Sequence, residues 1–193
     1  MNKEFWSDVL RSGAILGVVM SLSHIFENYL LAFSDIDILD ASIVYLVEFL
    51  IVCVVFIWLL VRFTRRRANT LSQSGPVTYS HLLLFILLTS MLAGVLVGVA
   101  DTIYVSIIGY DNYVLGFIDR INQLKEIYIE SGVQPSELVG FDNYTTQLRQ
   151  MAQPSIMAAV FGQLYSYTFV GSIPGLIIAS VISRRYRRME LNK

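Results

Sequence analysis

Ser80-His81-Leu82-Leu83-Leu84-Phe85-Ile86-Leu87-Leu88-Thr89-Ser90-Met91-Leu92-Ala93-Gly94-Val95-Leu96-Val97-Gly98-Val99-Ala100-Asp101-Thr102-Ile103-Tyr104-Val105-Ser106-Ile107-Ile108 is the stretch whose reading decides the fold. Its first half is long and apolar enough to span a bilayer as a helix. Ser90, Gly94, Gly98, Thr102 and Ser106 recur every four residues and draw a narrow small-residue ridge along it, the pattern that lets two helix backbones approach closely. Asp101, the stretch's lone carboxylate, falls where the span should leave the hydrocarbon.

Three more stretches of the same kind flank it. Spans are expected at about 12–33, 41–61, 80–108 and 155–183, giving an all-α polytopic membrane protein with four transmembrane helices in one membrane domain over 1–193. Only 15% of the 193 residues are charged and mean hydropathy is +0.60. A soluble domain carries about 25% charged residues, so the shortfall is what bilayer burial demands. Gly13, Gly17 and Ser21 form a small-residue stripe on the first span, and Gly171, Gly175, Ala179 and Ser183 form one on the last. The second span has no glycine and is bulky and β-branched, so it is expected on the lipid side of the bundle. Pro154 is expected in the first turn of the last span.

Between the third and fourth spans lie 44 residues, Tyr110–Gln153, too many for a structureless loop. Val114, Phe117, Ile118, Ile121, Leu124 and Tyr128 repeat with helical period, which predicts an amphipathic helix ending at Gly132 and Pro135. A shorter helix is expected from about Asp142, with Asp142 as its N-cap. Together they predict an external helical cap over about 111–153. A Ser74-Gly75-Pro76 turn should lead into the third span, and Trp6 is placed as an interfacial anchor in a polar lead.

Charge sets the expected orientation. Lys3, Arg11, Arg62, Arg65, Arg66, Arg67, Arg184, Arg185, Arg187, Arg188 and Lys193, eleven of the fourteen basic residues, fall on the side of the termini. By the positive-inside rule the termini are cytoplasmic and segment 110–153 is external. The same arginines can also attract anionic head groups, at about 1 kcal/mol each. Net charge is −1, which gives no reason to expect nucleic acid as a partner. The expected partners are membrane lipids and a second copy or another membrane protein. Cys53 stands alone, so there is no disulfide framework.

Gly75-Pro76-Val77-Thr78-Tyr79-Ser80 entering a glycine-dotted span, Ile118-Asp119 leading the external helix, and Gly171-Ser172-Ile173-Pro174-Gly175-Leu176-Ile177-Ile178-Ala179-Ser180 before a basic tail together resemble the domain-of-unknown-function family 4199 of small four-span bacterial membrane proteins. That resemblance implies a bacterial inner-membrane location and brings no activity, ligand or catalytic residue. The aspartate-proline pair frequent in that family's external segment is here Asp119-Arg120.

Glu27, Glu48 and Asp101 lie inside spans, each about six or seven residues from the expected external end, or roughly 10 Å. His24 shares a helical face with Glu27. No lysine or arginine lies at this depth to neutralise the acids, and charged groups at membrane depth face an interior, a cavity or a partner. These four residues are the candidate polar pocket, for a proton or a cation. The plainer alternative is that the spans end sooner and Asp101 sits among head groups, with Glu27 bonded locally. No HExxH or GxSxG is present, so no catalytic, cofactor or metal residue is assigned and no cofactor is expected. Gly13, Gly17, Gly94, Gly98, Gly171 and Gly175 are assigned to helix packing. On sequence alone, a non-enzymatic accessory or assembly component leads, acting through helix contacts. A small proton- or cation-linked transporter or channel-like protein is the alternative, and a lipid-active enzyme using His24 and Glu27 comes third.

Overall fold

The computed structural model describes residues 3–73 and 75–191; Ser74 of the expected turn and Lys193 of the basic set lie outside them. Six α-helices follow in order: α1 (Lys3–Ala32), α2 (Ile38–Leu71), α3 (Tyr79–Ile108), α4 (Tyr110–Glu130), α5 (Val139–Gln150) and α6 (Ile156–Leu191), with a 3-10 turn at Pro135–Leu138. No strand occurs among the described residues. Helices α1, α2, α3 and α6 are each long and apolar enough to cross a membrane.

The quoted stretch is the centre of the bundle. Helix α3 lies between α6 on one side and α1 on the other, and these are the two most extensive interfaces in the protein. The small-residue stripes make both seams. A β-carbon at Gly13 would fall 2.7 Å from Leu92 Cδ2, and one at Gly17 would fall 2.8 Å from Leu96 Cβ. On the other side, one at Gly94 would fall 2.6 Å from the Gln163 carbonyl oxygen, and one at Gly98 would fall 2.7 Å from Val160 Cα. Gly171 lies directly over Ser90 and Gly175 over Ile86, completing the α3–α6 seam. The ridge therefore faces α6 at Ser90, Gly94 and Gly98. Thr102 and Ser106 instead return their hydroxyls to the carbonyls one turn back, Gly98 and Thr102. Where neighbouring apolar groups offer no advantage over lipid, such close backbone approach is what holds helices together.

Helix α2 is the outermost of the four, with Val54 and Ile43 more than 60% exposed on an apolar face. Its lack of glycine matches that position. The helix runs on past the expected span to Leu71, so the arginine cluster is helical. Arg67 turns inward: it is 3% exposed, its Nη1 donates to Asp8 Oδ2 at 2.8 Å, and its guanidinium covers the Phe5 ring at 5.4 Å. His81 Nε2 lies 3.4 Å from Arg67 Nη2. The polar lead is thus no lead; it is the first turns of α1, with Phe5 fully buried against Phe85. Removing Asp8 would leave a buried guanidinium short of its counter-charge. Since Asp8 is itself about a third exposed, Asp8→Ala should cost about 1–3 kcal/mol. Thermal unfolding in detergent measures it, and an unchanged midpoint would remove the pair from the list of stabilising contacts.

Two further expectations are corrected at the opposite end. Helix α5 begins at Val139, so Asp142 lies inside its first turn and pairs with Lys125 Nζ at 2.5 Å instead of capping. Helix α6 begins at Ile156, leaving Pro154 before it, while Ser155 Oγ accepts from the Ala158 amide at 3.2 Å and acts as the cap. The acidic turn after α1 supplies a genuine cap, Asp37, whose carboxylate accepts from the Leu39 amide at 2.9 Å.

Candidate functional site

At the end of the bundle away from the termini, α4 lies across α1. Gly109, at φ +88°, makes the abrupt exit from α3 that a side-chain-bearing residue would resist. Gly116 then lets α4 come so close that a β-carbon would sit 2.5 Å from the Ala32 carbonyl oxygen. Arg120, 6% exposed, reaches beneath into the α1–α2 turn and donates to the carbonyls of Ile36, at 2.6 Å, and Ser34. The helical segment between spans three and four therefore caps the bundle through α4, with Ile118 buried beneath it.

Under that cap the four candidate side chains meet. His24 Nδ1 lies 3.4 Å from Glu27 Oε2, and His24 Nε2 lies 3.5 Å from Asp101 Oδ1, so the imidazole stands between two carboxylates from α1 and α3. Glu48 comes in from α2, accepts from the Ser23 hydroxyl, and its carboxyl adjoins that of Glu27. Its other oxygen, Oε2, is buried with no hydrogen-bond partner. All four long helices remain helical through this level.

The residues that complete the cluster carry no charge, and nothing in the sequence marked them. Asn28, 7% exposed, donates to Asp101 Oδ1 at 3.2 Å and accepts from the Tyr113 hydroxyl at 3.0 Å. Gln163 of α6 brings its Nε2 to 3.4 Å from His24 Nε2. Burial, reinforced by the Asp101 carboxylate, raises the Tyr113 phenol above its usual range, so it stays a neutral donor at physiological pH. Tyr113 thus ties α4 to the cluster through Asn28. Five of the six α-helices contribute a group.

Three carboxylates face one imidazole, and even a doubly protonated ring balances only one of them. Among the described residues, no three His, Cys, Asp or Glu side chains converge with the spacing of a metal site. The ring separates the Glu27 and Asp101 oxygens and lies within ion-pair distance of both. Proton exchange is chemistry that imidazole and carboxylate share.

The fold and this cluster define a class: an all-α, multi-pass membrane protein with ionisable groups gathered at one end of its bundle. Residues 11–184 match the family model described as protein of unknown function, DUF4199, and the chain belongs to that family. Neither a curated protein nor a solved structure matches it.

Proposed function

We propose that the protein is a small proton-linked membrane protein, transporter-like or channel-like, in which His24, Glu27, Glu48 and Asp101 take up and release protons at the membrane face opposite the termini. The observation that supports this reading is the imidazole held between the Glu27 and Asp101 carboxylates, with Glu48 adjoining and no lysine or arginine in the cluster. Ionisable residues within spans mark proton and ion paths more often than they serve structure. The cluster reaches the protein surface, since the side chains of His24, Glu27 and Asp101 are each 20–25% exposed. Towards the termini Met20, Ala93 and Val97 are buried, so the approach is from one side. In the orientation that the arginine clusters favour, that side is external, and the family resemblance suggests a bacterial inner membrane. The role is non-enzymatic.

The test is proton flux into proteoliposomes carrying an internal pH dye. Wild-type protein should respond to an imposed pH difference, and Asp101→Asn or Glu48→Gln should lower that flux at least tenfold with an unchanged elution profile and melting curve. Asparagine keeps the shape and the acceptor for Asn28 and removes only the titratable oxygen. Equal flux from variant and wild type would overturn the proposal, as would an inert wild type.

An accessory or assembly role is the second reading. The glycine ridges that suggested it in sequence are occupied by contacts within the chain. What favours it now is the uncovered apolar face of α2.

A further inference from the structure

On the terminus side, α2 and α6 part to leave a cavity of about 520 Å³ at the level where both helices leave their apolar runs. Arg65 and Asn69 line it from α2, and Arg185 and Tyr186 from α6, with Val181 and Met189 forming an apolar wall. The Tyr186 hydroxyl donates to Asn69 Oδ1 and fixes the two helices at this level. Among the described residues, no carboxylate lines the cavity. Arg185 also lines an adjoining groove with Arg184 and Arg188. Among the described residues, none of these four guanidinium groups has an ion-pair or hydrogen-bond partner, whereas Arg67, two residues further along α2, is paired with Asp8.

Guanidinium groups from two helices, lining one cavity with no carboxylate among the described lining residues, make a site suited to an anion. Their planar, multi-donor geometry suits phosphate oxygens in particular. The position narrows the ligand further. Val181, 61% exposed, lies one turn from Arg185 towards the apolar run, and Ile177, 64% exposed, lies a turn beyond it, so an apolar chain can lie along α6 below the arginines. Basic pockets between spans at the membrane boundary are suited to anionic lipid head groups. We propose that this cavity binds the phosphate of an anionic phospholipid, held between Arg65 and Arg185 with its acyl chains along α6. Arg65 and Arg185 then do more than stop transfer, and the bound lipid bridges α2, the most loosely held span, to α6.

Native mass spectrometry of the full chain, released from nanodiscs of phosphatidylcholine doped with phosphatidylglycerol, tests this. Wild-type protein should retain phosphatidylglycerol over phosphatidylcholine. Arg65→Gln/Arg185→Gln should lower that retention about tenfold, and Arg187→Gln, outside the cavity, should leave it unchanged. Arg65→Lys/Arg185→Lys keeps the charge and guards against a folding defect; it should fall between wild type and the glutamine pair, because lysine cannot offer the same fork. Millimolar inorganic phosphate should not displace the lipid. Displacement would make free phosphate the ligand and overturn the lipid assignment. Equal retention by wild type and both double variants, or equal loss in Arg187→Gln, would overturn the site itself.

Discussion

Gly94→Leu should abolish recovery of monodisperse protein. The α3–α6 seam is the largest in the bundle, and at Gly94 the two backbones are in contact. A β-carbon there would lie 2.6 Å from the Gln163 carbonyl oxygen and 2.8 Å from Leu164 Cα, both main-chain atoms of α6. A crowded side chain can rotate away, but a crowded backbone moves only with its whole helix. Alanine at this position should already cost about 1–3 kcal/mol, and leucine more. Gly17 is crowded in a mixed way: Leu96 Cδ1 at 2.6 Å can turn aside, but Leu96 Cβ at 2.8 Å and Ala93 Cα at 3.2 Å move only with α3. Gly162 lies one residue before Gln163 on α6 and faces open space, so Gly162→Leu should melt within about 0.5 kcal/mol of wild type. The comparison needs only fluorescence-detected size-exclusion chromatography and a melting curve in detergent. A Gly94→Leu protein that elutes and melts like wild type would mean that the seam is not as close as 2.6 Å implies.

The same displacement would reach the polar cluster. Gln163 carries the carbonyl that Gly94 accommodates and also the amide beside His24. The seam at the centre of α3 therefore sets the geometry of the site at its end. Small residues every four positions were legible in sequence because the helical repeat places them on one face, and they located both seams of α3. The fates of the arginines were not legible. Arg62, Arg65, Arg66 and Arg67 read alike as a run of charge, yet two helical steps, about 200°, turn Arg67 into the bundle while Arg65 faces a cavity. That distinction depends on the rotational phase of α2, and the phase is set by packing against α1 rather than by the local pattern. Arg120 was hidden for a related reason. Its period placed it on the polar face of an amphipathic helix, and only the docking of α4 reveals carbonyls waiting there.

The cluster was half legible. Glu27, Glu48, Asp101 and His24 stood out because charge is rare within apolar spans. Ser23, Asn28, Tyr113 and Gln163 did not, since uncharged polar residues are ordinary in membrane helices. Their partners are distant in sequence, with 139 positions between His24 and Gln163. No periodicity within one helix can report a contact of that kind.

His24→Gln is the variant that asks whether these groups act as one unit. Glutamine is close in size and can still donate a hydrogen bond, but it cannot accept a proton from one carboxylate and pass it to the other. If the ring links Glu27 to Asp101, as distances of 3.4 and 3.5 Å allow, the chain is broken at its middle. Flux in proteoliposomes should then fall at least tenfold, as far as in Asp101→Asn. The informative measurement is the double variant. Groups that serve one step are strongly non-additive, because a path cut once loses little more when cut again. His24→Gln/Asp101→Asn should therefore be no slower than either single variant, within about twofold. Two separate sites would instead multiply their effects, and a double variant slowed by the product of the two single losses would show that His24 and Asp101 work independently. The folded state can be followed in the same proteins. Removing the imidazole leaves Glu27, Glu48 and Asp101 with no neighbouring basic group, so His24→Gln alone should lower the melting temperature more at pH 6, where the ring is charged and the carboxylates are still ionised, than at pH 9, where the ring's charge is fading. Neutralising Asp101 as well should recover part of that loss. The two readouts then constrain each other: flux reports the relay, and the pH-dependent melt reports the crowding of carboxylates that the ring relieves.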